Sequence, residues 1–195
     1  MKAGVFCSNQ RWGVLFIALL AICVSHTAFS QDRWSVEFRP GVNVATGKLG
    51  NENLKTGAGF EGTVAYRLMP HLGVYGGWSW NRFAGTSSDF EETGYTYGLQ
   101  FIHPLGNSKL SLLARAGAVS NHIEVENESG EIIADSGHGL GWQVEGGIVI
   151  PLTEKWRLLP GVRYRSISRH IQLGSVTTGV DLNYLSFGVG ISRLF

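Results

Sequence analysis

The sequence predicts an all-β fold, an eight-stranded antiparallel up-and-down transmembrane β-barrel. Large apolar residues alternate with small or polar ones at a period of two over eight stretches, which is typical of strands with two different faces. After residue 30, no stretch keeps the 3.6-residue apolar period of a helix. Short connections and longer polar connections follow each other in alternation, as they do in barrels that cross a membrane.

The first thirty residues differ from the rest and indicate a cleaved signal peptide. Lys2 and Arg11 give a positive start, residues 12–24 are apolar without interruption, and Ala28 and Ser30 offer a small-residue cleavage site. The apolar run is too short to span a bilayer comfortably. A lipoprotein would need a small residue before Cys23, where the chain has Ile22. We therefore expect a signal peptide over residues 1–30 and an outer-membrane β-barrel domain over residues 31–195.

The composition of the exported chain excludes several classes of function. Both cysteines of the sequence lie in the predicted signal peptide, so we expect no disulfide and no cysteine-based metal site. Two of the 16 basic residues also lie there, which leaves 14 basic residues against 15 acidic ones. A chain so close to neutral has no global electrostatic basis for binding nucleic acid.

The strands and their connections follow from the alternation. We predict strands at residues 33–45, 57–68, 72–83, 93–103, 109–122, 138–150, 156–168 and 181–195. The connections at 68–71, 103–109 and 151–156 are short, whereas those near 46–56, 84–92, 123–137 and 169–180 are long and polar. This pattern favours a barrel with short turns at one membrane surface and long loops at the other. Pro40 and Pro160 fall inside predicted strands, where each should remove a ladder hydrogen bond or mark a bulge.

The two faces of these strands separate charge from apolar surface. A charge facing lipid at mid-membrane costs about 2–4 kcal/mol, so the charged face should point inward. A soluble lipid-carrying barrel would be reversed, and a soluble β-sandwich with its charges in water is the remaining alternative. The predicted lumen network comprises Glu37, Arg39, Glu61, Arg67, Arg115, Glu145, Arg163 and Arg165.

The chain resembles the small eight-stranded outer-membrane barrels, a family that includes outer-membrane protein X, the opacity proteins and the barrel domain of outer-membrane protein A. The resemblance covers residues 31–195 and rests on the architecture and on the last strand, which ends at Phe195. It implies a location in the cell outer membrane among lipid and lipopolysaccharide, with both termini periplasmic. Arg193 departs from the family, which often has an aromatic residue at that position.

The same resemblance implies a role for the last strand in assembly. In the family, the terminal aromatic strand is the signal that the barrel-assembly machinery reads, after periplasmic chaperones have carried the chain. The residues of this strand that match the signal are Phe187, Val189, Ile191 and Phe195.

The predicted lumen contains five arginines and three glutamates. Because buried charges need partners, we interpret them as an ion-pair network that closes the lumen. The alternative is a narrow pore for small solutes, with a slight anion preference from the two surplus arginines.

Residues capable of chemistry are present, but they do not form a recognisable site. Ser136, His138 and Asp135, or Ser168 and His170, are neighbours on hairpins and lack the oxyanion donors that a catalytic triad needs. We therefore expect no catalytic residues and no cofactor, and a lipid-modifying enzyme is the weakest of the alternatives. The spacing of His122, His138 and the acids between them is not diagnostic of a metal site, so no metal is predicted.

The loop regions are the best candidates for a functional surface. Residues 122–139 predict a projecting hairpin with five acids and no Lys or Arg, and residues 168–181 predict a second extended pair. Such a rim is either a solvated surface or a binding site for an extracellular protein or cell surface, through an unpaired strand edge or an acidic patch. Arg169 is expected to approach Asp135. The predicted interaction residues are Glu124, Glu126, Glu128, Glu131, Asp135, Arg169 and His170.

Overall fold

The computed structural model of the chain describes residues 32–49, 53–85, 88–127, 129–173 and 176–195, with only the backbone for residues 170–173 and 176–178. The predicted signal peptide lies outside the described residues. Within them, no helix is long and apolar enough to cross a bilayer. The strands of this part of the chain are β1 (Trp34–Ala45), β2 (Gly57–Arg67), β3 (Leu72–Ala84), β4 (Asp89–Pro104), β5 (Ser111–Glu126), β6 (Ile132–Asp135), β7 (Gly139–Pro151), β8 (Trp156–Leu173) and β9 (Val176–Leu194).

Eight long strands form a closed antiparallel barrel, which confirms the predicted fold. Neighbouring strands pair in chain order, except that β5 pairs with both β6 and β7. The last strand returns to the first: β9 pairs with β1, from Ser35 opposite Leu194 to Ala45 opposite Tyr184. The short strand β6 is an addition to the prediction. It pairs with the outer end of β5 in the hairpin that leads to β7.

One of the predicted long connections, the one near 84–92, is wrong, because strands continue through most of it. β4 begins at Asp89 and pairs with β3 up to Ala84, so the β3–β4 ladder occupies this region except for residues 85–88. The β8–β9 ladder continues to Leu173 opposite Val176, in agreement with the extended pair predicted over residues 168–181. Burial favours strands in both regions: Phe90, Val180 and Leu182 pack into an apolar cluster inside the barrel, whereas Glu91 and Asp181 beside them face outward. Short turns still occupy one end of the barrel, here called the short-turn end, and the opposite end is the loop end.

The alternation of faces is as predicted, even beside the prolines. Glu37 and Arg39 are buried, whereas Val36 and Phe38 are about half exposed on the outer surface. The β1–β9 register is the same on both sides of Pro40, from Phe38 opposite Ile191 to Gly41 opposite Gly188. Pro40 therefore interrupts the pairing without forming a bulge. Pro160 keeps its place opposite Val189 in the β8–β9 ladder.

Candidate functional site: the lumen and the loop-end wall

Buried charged side chains of alternating sign cross the middle of the lumen. Two arginines bind Glu37: Arg39 at 2.6 Å and Arg115 at 2.6 Å. Arg39 also reaches Glu145 at 2.5 Å, and Glu145 binds Arg163 at 2.9 Å. These contacts link β1, β5, β7 and β8 through side chains alone.

The series of ion pairs continues toward the loop end. Arg163 binds Glu61 at 2.6 Å, and Glu61 binds Arg165 at 3.1 Å. Arg165 ends the series with Glu92 at 3.0 Å. We call this series the charge chain; its members in order are Arg115, Glu37, Arg39, Glu145, Arg163, Glu61, Arg165 and Glu92. Each of them is at most 7% exposed, so bulk water has little access to the series.

Glu92 is the member that sequence reasoning missed, because it fell in a predicted loop. Its carboxylate accepts hydrogen bonds from Asn81 at 2.6 Å, from the Tyr184 hydroxyl at 2.8 Å, and from Asn121. A burial of 100% and four partners including Arg165 identify it as a structural acid of the lumen. Its only sequence signal was the spacing of two residues from Phe90 and Gly94, which places all three on one strand face.

Arg67, also predicted for the lumen network, lies outside the charge chain. It is the last residue of β2 and is exposed at the short-turn end, where it lines a small cavity with Asp32, Arg33 and Arg157. The charge chain thus holds four arginines and four glutamates. The sequence predicted two more arginines than glutamates in the lumen network. The charge chain has equal numbers, because it does not include Arg67 and does include Glu92.

Apolar side chains fill the barrel on both sides of the charge chain. At the loop end, buried residues of six strands and of the first loop form one cluster: Leu49, Phe83, Phe90, Ile123, Val125, Ala134, Ile167, Val180, Leu182 and Tyr184. At the short-turn end, Leu113, Val149 and Leu159 form a smaller cluster, against which Ile102 packs. Polar contacts thus lie in the middle of the lumen, with an apolar cluster toward each end.

The outer surface near the loop end carries a second set of charges, here called the loop-end wall. Arg82 of β3 binds Asp89 at 2.9 Å, Glu91 at 3.2 Å and Glu126 at 2.9 Å. Trp80 donates a hydrogen bond to Glu91 at 3.0 Å. Glu126 is therefore held to the barrel wall by an ion pair, whereas the sequence placed it on the projecting hairpin as an interaction residue.

His122 and two acids lie beside this cluster on the same wall. The His122 Nδ1 atom is 3.3 Å from an oxygen of Asp135 and 3.8 Å from an oxygen of Glu124. The ring of His138 stacks on that of His122, with centroids 4.7 Å apart. Glu131 lies at the hairpin tip, where its carboxylate accepts a hydrogen bond from Asn127 at 3.1 Å.

The remaining predicted interaction residues are placed differently from the expectation or are not described. Arg169 points into the barrel and is 5% exposed. Its guanidinium donates hydrogen bonds to the carbonyls of Leu140 at 2.9 Å and Gly139 at 2.5 Å, rather than approaching Asp135. This orientation follows from the period of two that also turns Arg163 and Arg165 inward. Glu128 and the side chain of His170 lie outside the described residues.

Ser136, one of the hydroxyls considered for catalysis, is used in the hairpin turn. Its Oγ atom donates a hydrogen bond to the carbonyl of Gly137 at 3.0 Å and accepts one from the Ile123 amide at 2.8 Å. Asp135 accepts a hydrogen bond from the Gly137 amide at 2.8 Å. These contacts close the turn, and none of them directs the hydroxyl at an imidazole.

The chain matches the family described as outer membrane protein beta-barrel domain over residues 14–195. It belongs to this family. No curated protein sequence matches the chain. Solved structures of small barrels match its fold, at sequence identities that support the fold alone.

Among these structures, neisserial surface protein A is 18% identical with a TM-score of 0.65, and the match covers 83% of this chain and 97% of that one. Outer membrane protein W of E. coli is 15% identical with a TM-score of 0.55, covering 86% and 100%. OprG of Pseudomonas aeruginosa is 16% identical with a TM-score of 0.52, covering 84% and 97%.

Membership of this family places the barrel in the outer membrane and its apolar outer surface against lipid. The predicted assembly residues lie on that surface: Phe187, Val189, Ile191 and Phe195 are between 44% and 50% exposed. The Phe195 amide donates a hydrogen bond to the Trp34 carbonyl at 2.9 Å, at the seam between the last strand and the first. Arg193 lies over the rings of Phe195 and Trp156, at 4.9 and 5.8 Å. Aromatic contact thus covers the charge that departs from the family pattern.

Proposed function

We propose that this outer-membrane barrel has a non-enzymatic structural or surface-interaction role, and that its lumen is closed. The observation that carries the proposal is the charge chain, with every member at most 7% exposed and an apolar cluster on either side. A solute pore would require a water-filled path through all three layers. Since the interior is filled in this way, the surfaces that can meet a partner are those at the loop end.

The rim hairpin, defined as residues 127–138, is the surface best suited to a partner. Its strand β6 is hydrogen-bonded to β5 on one side, and Ile132 and Ile133 are 57% and 49% exposed. Exposed β-branched residues on a short strand at the end of a sheet can receive an extended chain of another protein. The acids of the adjoining wall favour a basic partner. With both termini in the periplasm, as we infer, this hairpin faces the outside.

A pair of substitutions tests this role directly. Cells that express the double variant Ile132→Ser, Ile133→Ser should adhere less to cultured epithelial cells and to each other than cells with the wild-type barrel. Leu152→Ser is the matched control, because Leu152 is 53% exposed at the opposite, short-turn end. Equal adhesion of all three strains, at equal amounts of folded barrel, would refute the surface-interaction role.

We also propose that the outward residues of β9 are read by the barrel-assembly machinery after delivery by periplasmic chaperones. Support comes from their position on the strand that closes the barrel against β1. Phe195→Ser should lower the fraction of chain that becomes heat-modifiable on gels of outer-membrane extracts, whereas Leu152→Ser should not. An unchanged folded fraction in the Phe195 variant would count against this role.

A further inference from the structure

We propose that His122, Glu124 and Asp135 form a binding site for a divalent transition-metal ion, with Zn²⁺ as the best fit. The three residues converge because of the strand geometry. His122 and Glu124 are two residues apart on β5 and share its outer face. Asp135 of β6 lies directly opposite Glu124 in the β5–β6 register.

The distances between the donor atoms suit a small cation. Zinc bonds to nitrogen and oxygen ligands are about 2.0–2.2 Å long, so two ligands of a tetrahedral ion lie roughly 3.3–3.5 Å apart. The Nδ1 atom of His122 is 3.3 Å from Asp135 and 3.8 Å from Glu124. All three donor atoms lie within 4.8 Å of one another. A small rotation of the Glu124 side chain, which is 23% exposed, would complete the set.

Charge on the loop-end wall gives an independent reason for a cation. Glu91, Glu124 and Asp135 are in register on three neighbouring strands, and like charges directly opposite each other destabilise a sheet. Arg82 compensates Glu91. Among the residues that the structure describes, no Lys or Arg forms an ion pair with Glu124 or Asp135, and a divalent ion would neutralise both carboxylates.

The neighbours of the triad hold it in place and leave it accessible. The ring of His138 stacks on His122 with an interplanar angle of 17°, which restricts rotation of the imidazole. The Gly137 amide donates to the same Asp135 oxygen that faces His122, at 2.8 Å. The Asp135 side chain is 48% exposed, so a water molecule could supply the fourth ligand.

The donor set selects the kind of metal. One imidazole with two carboxylates suits zinc and its first-row neighbours, whereas Ca²⁺ and Mg²⁺ prefer oxygen ligands alone. A metal bound here would join β6 to β5 and fix the base of the rim hairpin on the barrel wall. The site does not depend on the proposed surface role, since it concerns only these three side chains and the ion.

Calorimetric titration with ZnCl₂ tests the site in the full-length barrel without an affinity tag, purified in detergent and freed of metal with EDTA. We expect one Zn²⁺ per chain, with affinity reduced about tenfold or more in His122→Ala and in Asp135→Asn. His103→Ala, at the short-turn end, and Asp89→Asn, on the same wall beside Arg82, are the controls and should bind like the wild type. A heat-induced gel shift in each variant shows that the barrel is folded.

Three outcomes would overturn the assignment. The first is no saturable Zn²⁺ binding by the folded wild-type barrel. The second is equal affinity in the wild type and in His122→Ala, which would locate any bound zinc elsewhere. The third is Ca²⁺ binding as tight as Zn²⁺ and unaffected by loss of His122, which would make the wall a site for hard cations only.

Discussion

Arg163 of β8 and Glu61 of β2 form a two-point ion pair inside the barrel, with Nη1–Oε2 at 2.6 Å and Nη2–Oε1 at 2.9 Å. The two strands are separated in the wall by β9 and β1, so the pair connects parts of the sheet that share no backbone hydrogen bonds. Each partner also binds a second charge, since Arg163 reaches Glu145 and Glu61 reaches Arg165. The pair is thus an internal link of the charge chain, with further ion pairs on both sides.

Removing the carboxylate of this pair should destabilise the barrel strongly. Glu61→Gln leaves Arg163 and Arg165 buried with fewer negative partners, and breaking a buried ion pair costs about 3–5 kcal/mol. Urea-dependent unfolding in lipid vesicles, followed by tryptophan fluorescence, measures the free energy of unfolding. Glu131→Gln is the control: Glu131 is exposed at the hairpin tip, and a surface change should alter stability by about 0.5 kcal/mol or less.

If Glu61→Gln proves as stable as Glu131→Gln, the charge chain contributes no cross-barrel stability. A further check is the double variant Glu61→Gln, Arg163→Gln. Because the partners share one interaction, its loss should be smaller than the sum of the two single losses.

The proposed closure of the lumen predicts that the purified barrel does not conduct ions. Planar lipid bilayers with the wild-type protein should show no reproducible channel events, because apolar clusters lie on both sides of the charge chain. Protein from the same preparation should be heat-modifiable on gels, which shows that it is folded. An absence of channel events then cannot be attributed to unfolded protein. Discrete events of constant conductance that scale with the amount of folded protein would replace the closed lumen with a narrow pore.

The sequence was sufficient for the barrel and for most of the charge chain, because both depend on local alternation. Glu37, Arg39 and Arg163 face inward since each is flanked by outward apolar residues on a long strand. The alternation could not show which inward charges meet. Arg67 and Arg165 both occupy inward positions of their strands, but Arg67 is exposed at the short-turn end, whereas Arg165 reaches Glu61 and Glu92.

The errors at the loop end have a common physical cause. Glu92 and Arg169 lie where polar outward residues are interspersed with apolar inward ones, and this mixture has the composition of a loop. It becomes a strand because Phe83, Phe90 and Leu182 bury against each other inside the barrel. That contact joins β3 and β4 to β9 at the other end of the chain. Contacts between residues so far apart in the sequence leave no local pattern in it.

Two glycines on the paired strands β5 and β7 should respond oppositely to alanine. At Gly117 an added Cβ would collide with the backbone carbonyl oxygen of Tyr97 and would lie 2.5 Å from the Tyr75 hydroxyl, which accepts a hydrogen bond from Gln143 at 3.1 Å. Gly117→Ala should therefore destabilise the barrel by about 1–3 kcal/mol through overpacking. At Gly146, on the outer face, nothing lies within 4 Å of an added Cβ. Gly146→Ala should be neutral or stabilise by about 0.4–1 kcal/mol, because it restricts the unfolded chain.

Urea unfolding of both variants and the wild type compares their free energies of unfolding. The comparison shows whether an added methyl group destabilises the barrel only where it faces the packed lumen or at any strand position. Equal losses at the two positions would contradict the packing of Tyr75 over Gly117. A loss at Gly146 alone would indicate that the two faces of these strands are reversed.

The orientation of the barrel in the membrane can be tested with single cysteines, because both native cysteines, Cys7 and Cys23, lie in the predicted signal peptide. We expect Glu131→Cys, at the tip of the rim hairpin, to react with a membrane-impermeant maleimide on intact cells. Lys155→Cys, in the exposed turn between β7 and β8, should react only after the outer membrane is opened. Both positions are exposed and belong to connections between strands, so a difference in labelling reports their side of the membrane rather than local burial. The reverse pattern would place the rim hairpin in the periplasm and remove the basis for a surface role, whereas the proposals of a closed lumen and of a metal site would be unaffected.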